Sequence, residues 1–122
     1  MSAPQALVIE DDRDLSLIFS QALRAAGFEV GTAGTNNEAL TRLADFTPQL
    51  VTLDLHLRQA KGAEILRFIR SEPRLAQTNV VLTTADSALA ETLQDQADYV
   101  LIKPISFTQL RDLAARLKTQ FE

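Results

Sequence analysis

Glu10, Asp11 and Asp12 follow one another at the end of the apolar run in "ALVIEDD", and a single Asp54 interrupts the run "VTLDL". Carboxylates gathered in one place repel, and near neutral pH the group is tenable with raised pKa values or a bound cation. Oxygen-only donors suit Mg²⁺ or Mn²⁺, and Mg²⁺ usually keeps several waters and pairs with phosphate. A carboxylate beside such a cation can attack a phosphoryl group and form an acyl phosphate. Each piece also has an ordinary reading, because acidic residues open helices and a lone Asp caps turns. "VLTTAD" adds Thr83 and Thr84, whose hydroxyls can donate to a phosphoryl oxygen. "LIKPIS" adds Lys103, a cation beside Pro104, a residue that ends a strand and permits a cis peptide bond. Any one of these is weak evidence; convergence on one rim would not be.

Convergence depends on the elements. Five short runs are rich in apolar or β-branched residues: Ala6 to Ile9, Glu29 to Ala33, Leu50 to Leu53, Val80 to Thr83 and Tyr99 to Ile102. Such runs suit strands covered on both faces. Helical spacing fills the intervals. Leu15, Ile18, Phe19, Ala22, Leu23 and Ala26 make a first stripe, with Gly27 as a left-handed stop. Thr35 and Glu38 have capping-box spacing before a second helix that buries Leu40 and Leu43. A third carries Ile65, Leu66 and Ile69 and ends before Pro73. The fourth, Ser87 to Gln94, has only Leu89 and Leu93 as large apolar residues and is expected to be the most mobile element. The fifth opens at Ser106 with Gln109 in capping-box register and aligns Phe107, Leu110, Leu113, Ala114, Leu117 and Phe121.

Alternation of this kind predicts a doubly wound α/β domain over residues 1–122, with helices on both faces of a parallel sheet. Ligands in such sheets bind beyond the carboxyl ends of the strands. Glu10, Asp11, Asp54, Thr84 and Lys103 all fall at those ends.

Composition narrows the function classes. A chain of 122 residues, 46% hydrophobic and 23% charged, suits one core. Its formal charge of −4 provides no basic stripe for direct nucleic-acid binding, so a protein or small ligand is the expected partner. The absence of cysteine excludes disulfides and thiol chemistry. No apolar run is long enough to span a membrane and "MSAPQ" lacks an export signal, which leads to a cytoplasmic expectation.

Taken in order, "LVIEDD", "LVTLDL", Gly62 eight residues beyond Asp54, "VLTTA" and "KPIS" resemble the receiver domains of bacterial two-component response regulators along essentially the whole chain. The resemblance implies a five-stranded parallel sheet in the order 2-1-3-4-5. It implies that Glu10, Asp11, Asp54 and the backbone carbonyl of His56 hold Mg²⁺ or Mn²⁺. It further implies that Asp54 accepts a phosphoryl group from a sensor histidine kinase or phosphotransfer protein, that Thr84 is the switch hydroxyl and that Lys103 contacts the phosphoryl group. Asp12 lies outside the matched metal pair and is expected to be a neighbour or helix cap. The output would be a downstream protein or an attached effector domain, and such a domain is a switch rather than an enzyme acting on a separate substrate.

The chain departs from the family pattern in places. Val100 stands where many receivers carry a ring, with Tyr99 one residue earlier, which puts aromatic coupling in doubt. Leu57 and Arg58 replace a frequent Met-Pro pair, so the "RQAKG" loop is expected to be more flexible. His56, the only histidine, reads as a surface loop residue that, with Asp86, stands where water's access to the site could be modulated. The last helix lacks the charge pattern of receivers that dimerise through their fourth and fifth helices, leaving room for no more than a weak homodimer. Two other classes are weighed against the switch: a phosphate-independent binding module of the same fold, and a hydrolase with an Asp nucleophile. The hydrolase lacks a second Asp two residues after Asp54, where His56 stands. The chain stops just after the fifth helix, so a stand-alone receiver and a piece of a longer protein both stay open.

Overall fold

The computed structural model describes residues 3–56 and 62–121. Five strands, β1 (Gln5–Ile9), β2 (Glu29–Ala33), β3 (Leu50–Asp54), β4 (Asn79–Thr84) and β5 (Tyr99–Ile102), form one sheet. They pair in parallel in the order β2-β1-β3-β4-β5. This is the expected architecture, with β1, β3 and β4 each a residue or two longer than the apolar runs alone indicated.

Five helices alternate with the strands: α1 (Arg13–Ala25), α2 (Asn36–Asp45), α3 (Gly62–Ser71), α4 (Ser87–Leu93) and α5 (Phe107–Lys118). Side chains alternate across the sheet and divide the core in two. Ala6, Val8, Leu50 and Val81 pack with Phe19, Ala22 and Leu23 of α1 and with Leu110, Leu113, Ala114 and Leu117 of α5. Leu7, Ile9, Val51, Leu53, Val80 and Leu82 pack with α2 and α3, and Leu89 and Leu93 of α4 join them half-buried. Central strands must therefore be apolar on both faces, which is why β1 and β3 read as unbroken hydrophobic runs.

Local chemistry sets the helix ends. Asp12 caps α1 by accepting the Leu15 N–H at 3.0 Å, as its sequence position suggested. Gly27, at φ 104°, ends that helix with Schellman bonds from its own N–H to Arg24 and from Phe28 N–H to Leu23. Thr35 and Ser106 cap α2 and α5 through the N–H groups of Glu38 and Gln109.

Three expected core positions are corrected. Ile18 is 37% exposed beside Leu17 at 56%, because α1 turns only the Phe19, Ala22 and Leu23 side to the sheet. Ala39, not Leu40, joins Leu43 beneath α2, and Leu40 is only half-buried. Phe107, in the first turn of α5, is exposed and lies under the Arg111 guanidinium at 5.8 Å. Among the described residues no helix is long and apolar enough to cross a membrane. The expectation for "RQAKG" falls largely on residues 57–61, outside the described residues.

Candidate functional site at the carboxyl ends of the strands

The parallel register brings the chemistry together. Ile9 lies opposite Leu53, so the next residues, Glu10 and Asp54, follow side by side off neighbouring strands, and Asp54 lies opposite Thr83. Glu10, Asp11 and Asp54 each offer a carboxylate oxygen, all within 4.8 Å of one another. Glu10 and Asp54 are buried, whereas Asp11 is half-buried. Asp12 turns away to its capping role, although its N–H donates to Glu10 Oε2 at 3.2 Å.

Lys103 enters from the end of β5. Its peptide bond to Pro104 is cis. The ammonium donates to Glu10 Oε1 at 2.9 Å and lies 3.6 Å from Asp54 Oδ1, so two buried carboxylates share one cation. Burial pushes the Glu10 carboxyl up to about 7, opposed by the Lys103 hydrogen bond and reinforced by the Asp54 charge. Burial alone would lower the Lys103 pKa; the hydrogen bond to Glu10 and the charges of Glu10 and Asp54 outweigh it, and the net shift is upward. Such a donor set, all oxygen and rich in negative charge, fits a hard divalent cation.

The remaining expected residues sit around this cluster in different ways. His56 reaches it through its backbone N–H, which donates to Asp54 Oδ1 at 3.0 Å, while its side chain is exposed. Thr84 is fully buried at the end of β4, and its hydroxyl accepts the Asp86 N–H at 3.0 Å. Asp86 is otherwise the cap of α4, accepting the Leu89 N–H. Gly62 has a reason beyond turn freedom: a Cβ there would strike the Asp54 carbonyl oxygen and come within 2.7 Å of Leu55 Cα. The start of α3 thus packs directly on the carboxyl end of β3.

One pairing was missed from sequence, and Thr83, named there only beside Thr84, has a place of its own. The Glu10 to Lys103 pair spans 93 residues and leaves no local signal. Thr83, fully buried, flanks Asp54 in the register with a hydroxyl that has no hydrogen-bond partner among the described residues. Strand alternation carried that signal, since it assigns Thr83 and Thr84 to opposite faces.

Comparison with known proteins agrees with this geometry. The profile of the response regulator receiver domain matches residues 6–115. The phosphate regulon transcriptional regulatory protein PhoB of Rhizobium meliloti is 34% identical over 110 residues, covering 88% of this chain and 48% of PhoB. The transcriptional regulatory protein PrrA of Mycobacterium leprae is 31% identical over 121 residues, covering 97% of this chain and 50% of PrrA. The chain spans about half the length of these curated relatives. Among solved structures, the chemotaxis response regulator CheY4 of Vibrio cholerae superimposes with a TM-score of 0.86 at 21% identity, over 95% of this chain and 99% of CheY4. The response regulator TrrA of Thermotoga maritima, in complex with Mg²⁺-BeF, gives 0.82 at 26% identity, over 93% of this chain and 98% of TrrA. The chain belongs to the receiver-domain family of two-component response regulators.

Proposed function

We propose that this chain, acting as one receiver domain, is a phosphoacceptor switch: Asp54 takes a phosphoryl group from a phosphohistidine of a sensor kinase or phosphotransfer protein. The observation that carries this reading is the convergence of Glu10, Asp11 and Asp54 within 4.8 Å, with the Lys103 ammonium 2.9 Å from Glu10. Glu10, Asp11, Asp54 and the His56 carbonyl would hold Mg²⁺ or Mn²⁺, a cation that supplies positive charge to the phosphoryl oxygens when bound. The Asp54 carboxylate attacks phosphorus as the bond to the donor nitrogen breaks, leaving an acyl phosphate and a neutral imidazole once that nitrogen is protonated. Lys103 offers its ammonium to the incoming negative charge from within the same cluster. Water later cleaves the acyl phosphate, returning the carboxylate and inorganic phosphate.

The Thr84 hydroxyl is the switch group in this reading. It gives up the Asp86 N–H to meet the phosphoryl oxygen and so loosens the cap of α4, which a partner then reads. The test is intact mass after incubation with acetyl phosphate and Mg²⁺. A gain of one phosphoryl group, lost in Asp54→Asn and without metal, is the expected result. A folded wild-type protein that gains nothing and also fails to bind beryllofluoride would transfer the case to a phosphate-independent module.

A further inference from the structure

Among the described residues, four buried side-chain polar atoms have no hydrogen-bond partner, and two of them, Thr52 Oγ1 and Thr83 Oγ1, belong to central strands of the sheet. An orphaned buried hydroxyl costs stability, so each needs an account. Alternation puts both on the face that packs against α1 and α5, since Thr52 lies two residues beyond Leu50 and Thr83 two beyond Val81. Their heights differ. Thr52 lies opposite Val8 and Val81, in the apolar body of the sheet, whereas Thr83 lies opposite Asp54 on one side and Leu101 on the other.

Lys103 has to pass over Thr83 to reach its carboxylates. Strand pairing continues one residue past β1 and β5, from the Glu10 N–H to the Ala33 carbonyl and from the Lys103 N–H to the Thr84 carbonyl, so Glu10, Asp54, Thr83 and Lys103 share a face. In the order β1-β3-β4-β5 the ammonium crosses β4 on its way to Asp54 and Glu10. The residues of that face at this height are Thr83 and, past the end of β4, Ala85, and only Thr83 has a side-chain oxygen. Thr84 belongs to the opposite face with Val80 and Leu82, where its hydroxyl accepts the Asp86 N–H.

From the orphaned hydroxyl and the path of the lysine together, we infer that Thr83 is a positioning residue: its hydroxyl accepts a hydrogen bond from the Lys103 ammonium when that ammonium leaves Glu10 for a phosphoryl group on Asp54. This adds a second threonine, with a separate task, to the switch proposed above and rests on that reading. In the resting cluster the ammonium is drawn across to Glu10 Oε1 at 2.9 Å and stands 3.6 Å from Asp54 Oδ1. A phosphoryl group on Asp54 attracts it back toward β3 and β4, over Thr83. An ammonium has three N–H donors, more than one phosphoryl oxygen engages. Thr83 takes a spare donor and fixes where the charge sits; an apolar side chain there would leave Lys103 steered by charge alone.

The rate of phosphoryl uptake from acetyl phosphate with Mg²⁺, followed by intact mass, tests the inference on three variants of the full chain. Thr83→Val keeps the shape of the side chain without its hydroxyl and should slow uptake about tenfold, the worth of one charge-assisted hydrogen bond. Thr83→Ser should restore most of the rate. Thr52→Val removes the other orphan, two residues before Asp54 on the same face, and should leave the rate unchanged. Without metal, both valine variants should melt no lower than wild type, because each removes a buried hydroxyl that nothing satisfies. In the beryllofluoride complex the Lys103 ammonium resonance should move in Thr83→Val and keep its wild-type position in Thr83→Ser. A Thr83→Val chain that melts well below wild type or leaves the ammonium resonance unmoved, a Thr83→Ser chain as slow as Thr83→Val, or equal slowing by Thr52→Val would overturn it. Uptake as fast in Thr83→Val as in wild type contradicts this inference alone, whereas a wild-type chain that takes up nothing contradicts the acceptor reading and this inference with it.

Discussion

The two ends of the sheet both tie charged side chains across elements, and they do it differently. At the amino end, Arg70 donates to Asp98 at 2.8 Å, to the Gln96 carbonyl at 2.6 Å and to the Thr78 carbonyl at 3.0 Å, while Asp98 also accepts the Val80 N–H at 2.7 Å. One cation meets one carboxylate, and the spare donors meet carbonyls. Arg74 adds a similar tie from the 3₁₀ turn Pro73–Leu75 after α3 to the end of α2, through Leu43 and Phe46 carbonyls and the Thr47 hydroxyl. At the carboxyl end, one ammonium is shared by two buried carboxylates with a third close by. The lower clamp is balanced and serves the fold. The upper cluster is left short of positive charge, which is a cost to folding unless something else supplies it.

That contrast can be broken or sharpened experimentally. The largest effect is expected from Asp54→Asn, which should abolish phosphoryl uptake while leaving the far-UV circular dichroism spectrum unchanged. Next, Mg²⁺ at a hundred times its Kd should stabilise the wild-type protein by about 2.7 kcal/mol, since it binds the folded cluster alone. Asp11→Ala should remove most of that increment in a thermal melt. Arg70→Met should cost about 1–2 kcal/mol in urea denaturation, a modest sum because both partners are partly exposed, and it should leave uptake intact.

A smaller effect concerns pH. The folded Glu10 carboxyl titrates near 7, above its ordinary 4.5, so between those values the native state holds a proton that the unfolded chain has released. Its contribution to the stability of the metal-free protein is complete below about pH 4.5 and is lost as pH rises through about 7. Glu10→Gln should flatten the stability profile across that window, and an unchanged slope would contradict the burial argument. The smallest expected difference is in native-state hydrogen exchange. Amides of α4, whose only fully buried side chain is Ala90, should exchange faster than those of α1 and α5.

Much of this was written locally in the sequence. Asp12, Thr35 and Ser106 cap helices because capping is a three-residue affair. β1 and β3 were legible because burial on both faces demands an unbroken apolar run. Glu10, Asp11, Asp54, Thr84 and Lys103 could be placed on one rim because parallel strands all end there. What escaped depended on distant neighbours. Periodicity defined the stripe of α1 but not its width, so Ile18 was expected inside. Phe107 had the right spacing, yet the buried stripe of α5 begins only at Leu110. The Arg70 clamp joins residues 28 apart, and nothing near Arg70 marks it from any other surface arginine.

The most direct test of the contrast is the melting temperature of Asp54→Asn with and without Mg²⁺ in a buffer free of phosphate. Asn retains an oxygen for the His56 N–H while removing one of the two charges that share Lys103. The account predicts that the metal-free variant melts above metal-free wild type, by about 4 °C for about 1 kcal/mol, and that Mg²⁺ no longer raises it. A variant that melts lower than wild type and still gains from Mg²⁺ would mean that Asp54 supports the fold and that the cation is held elsewhere.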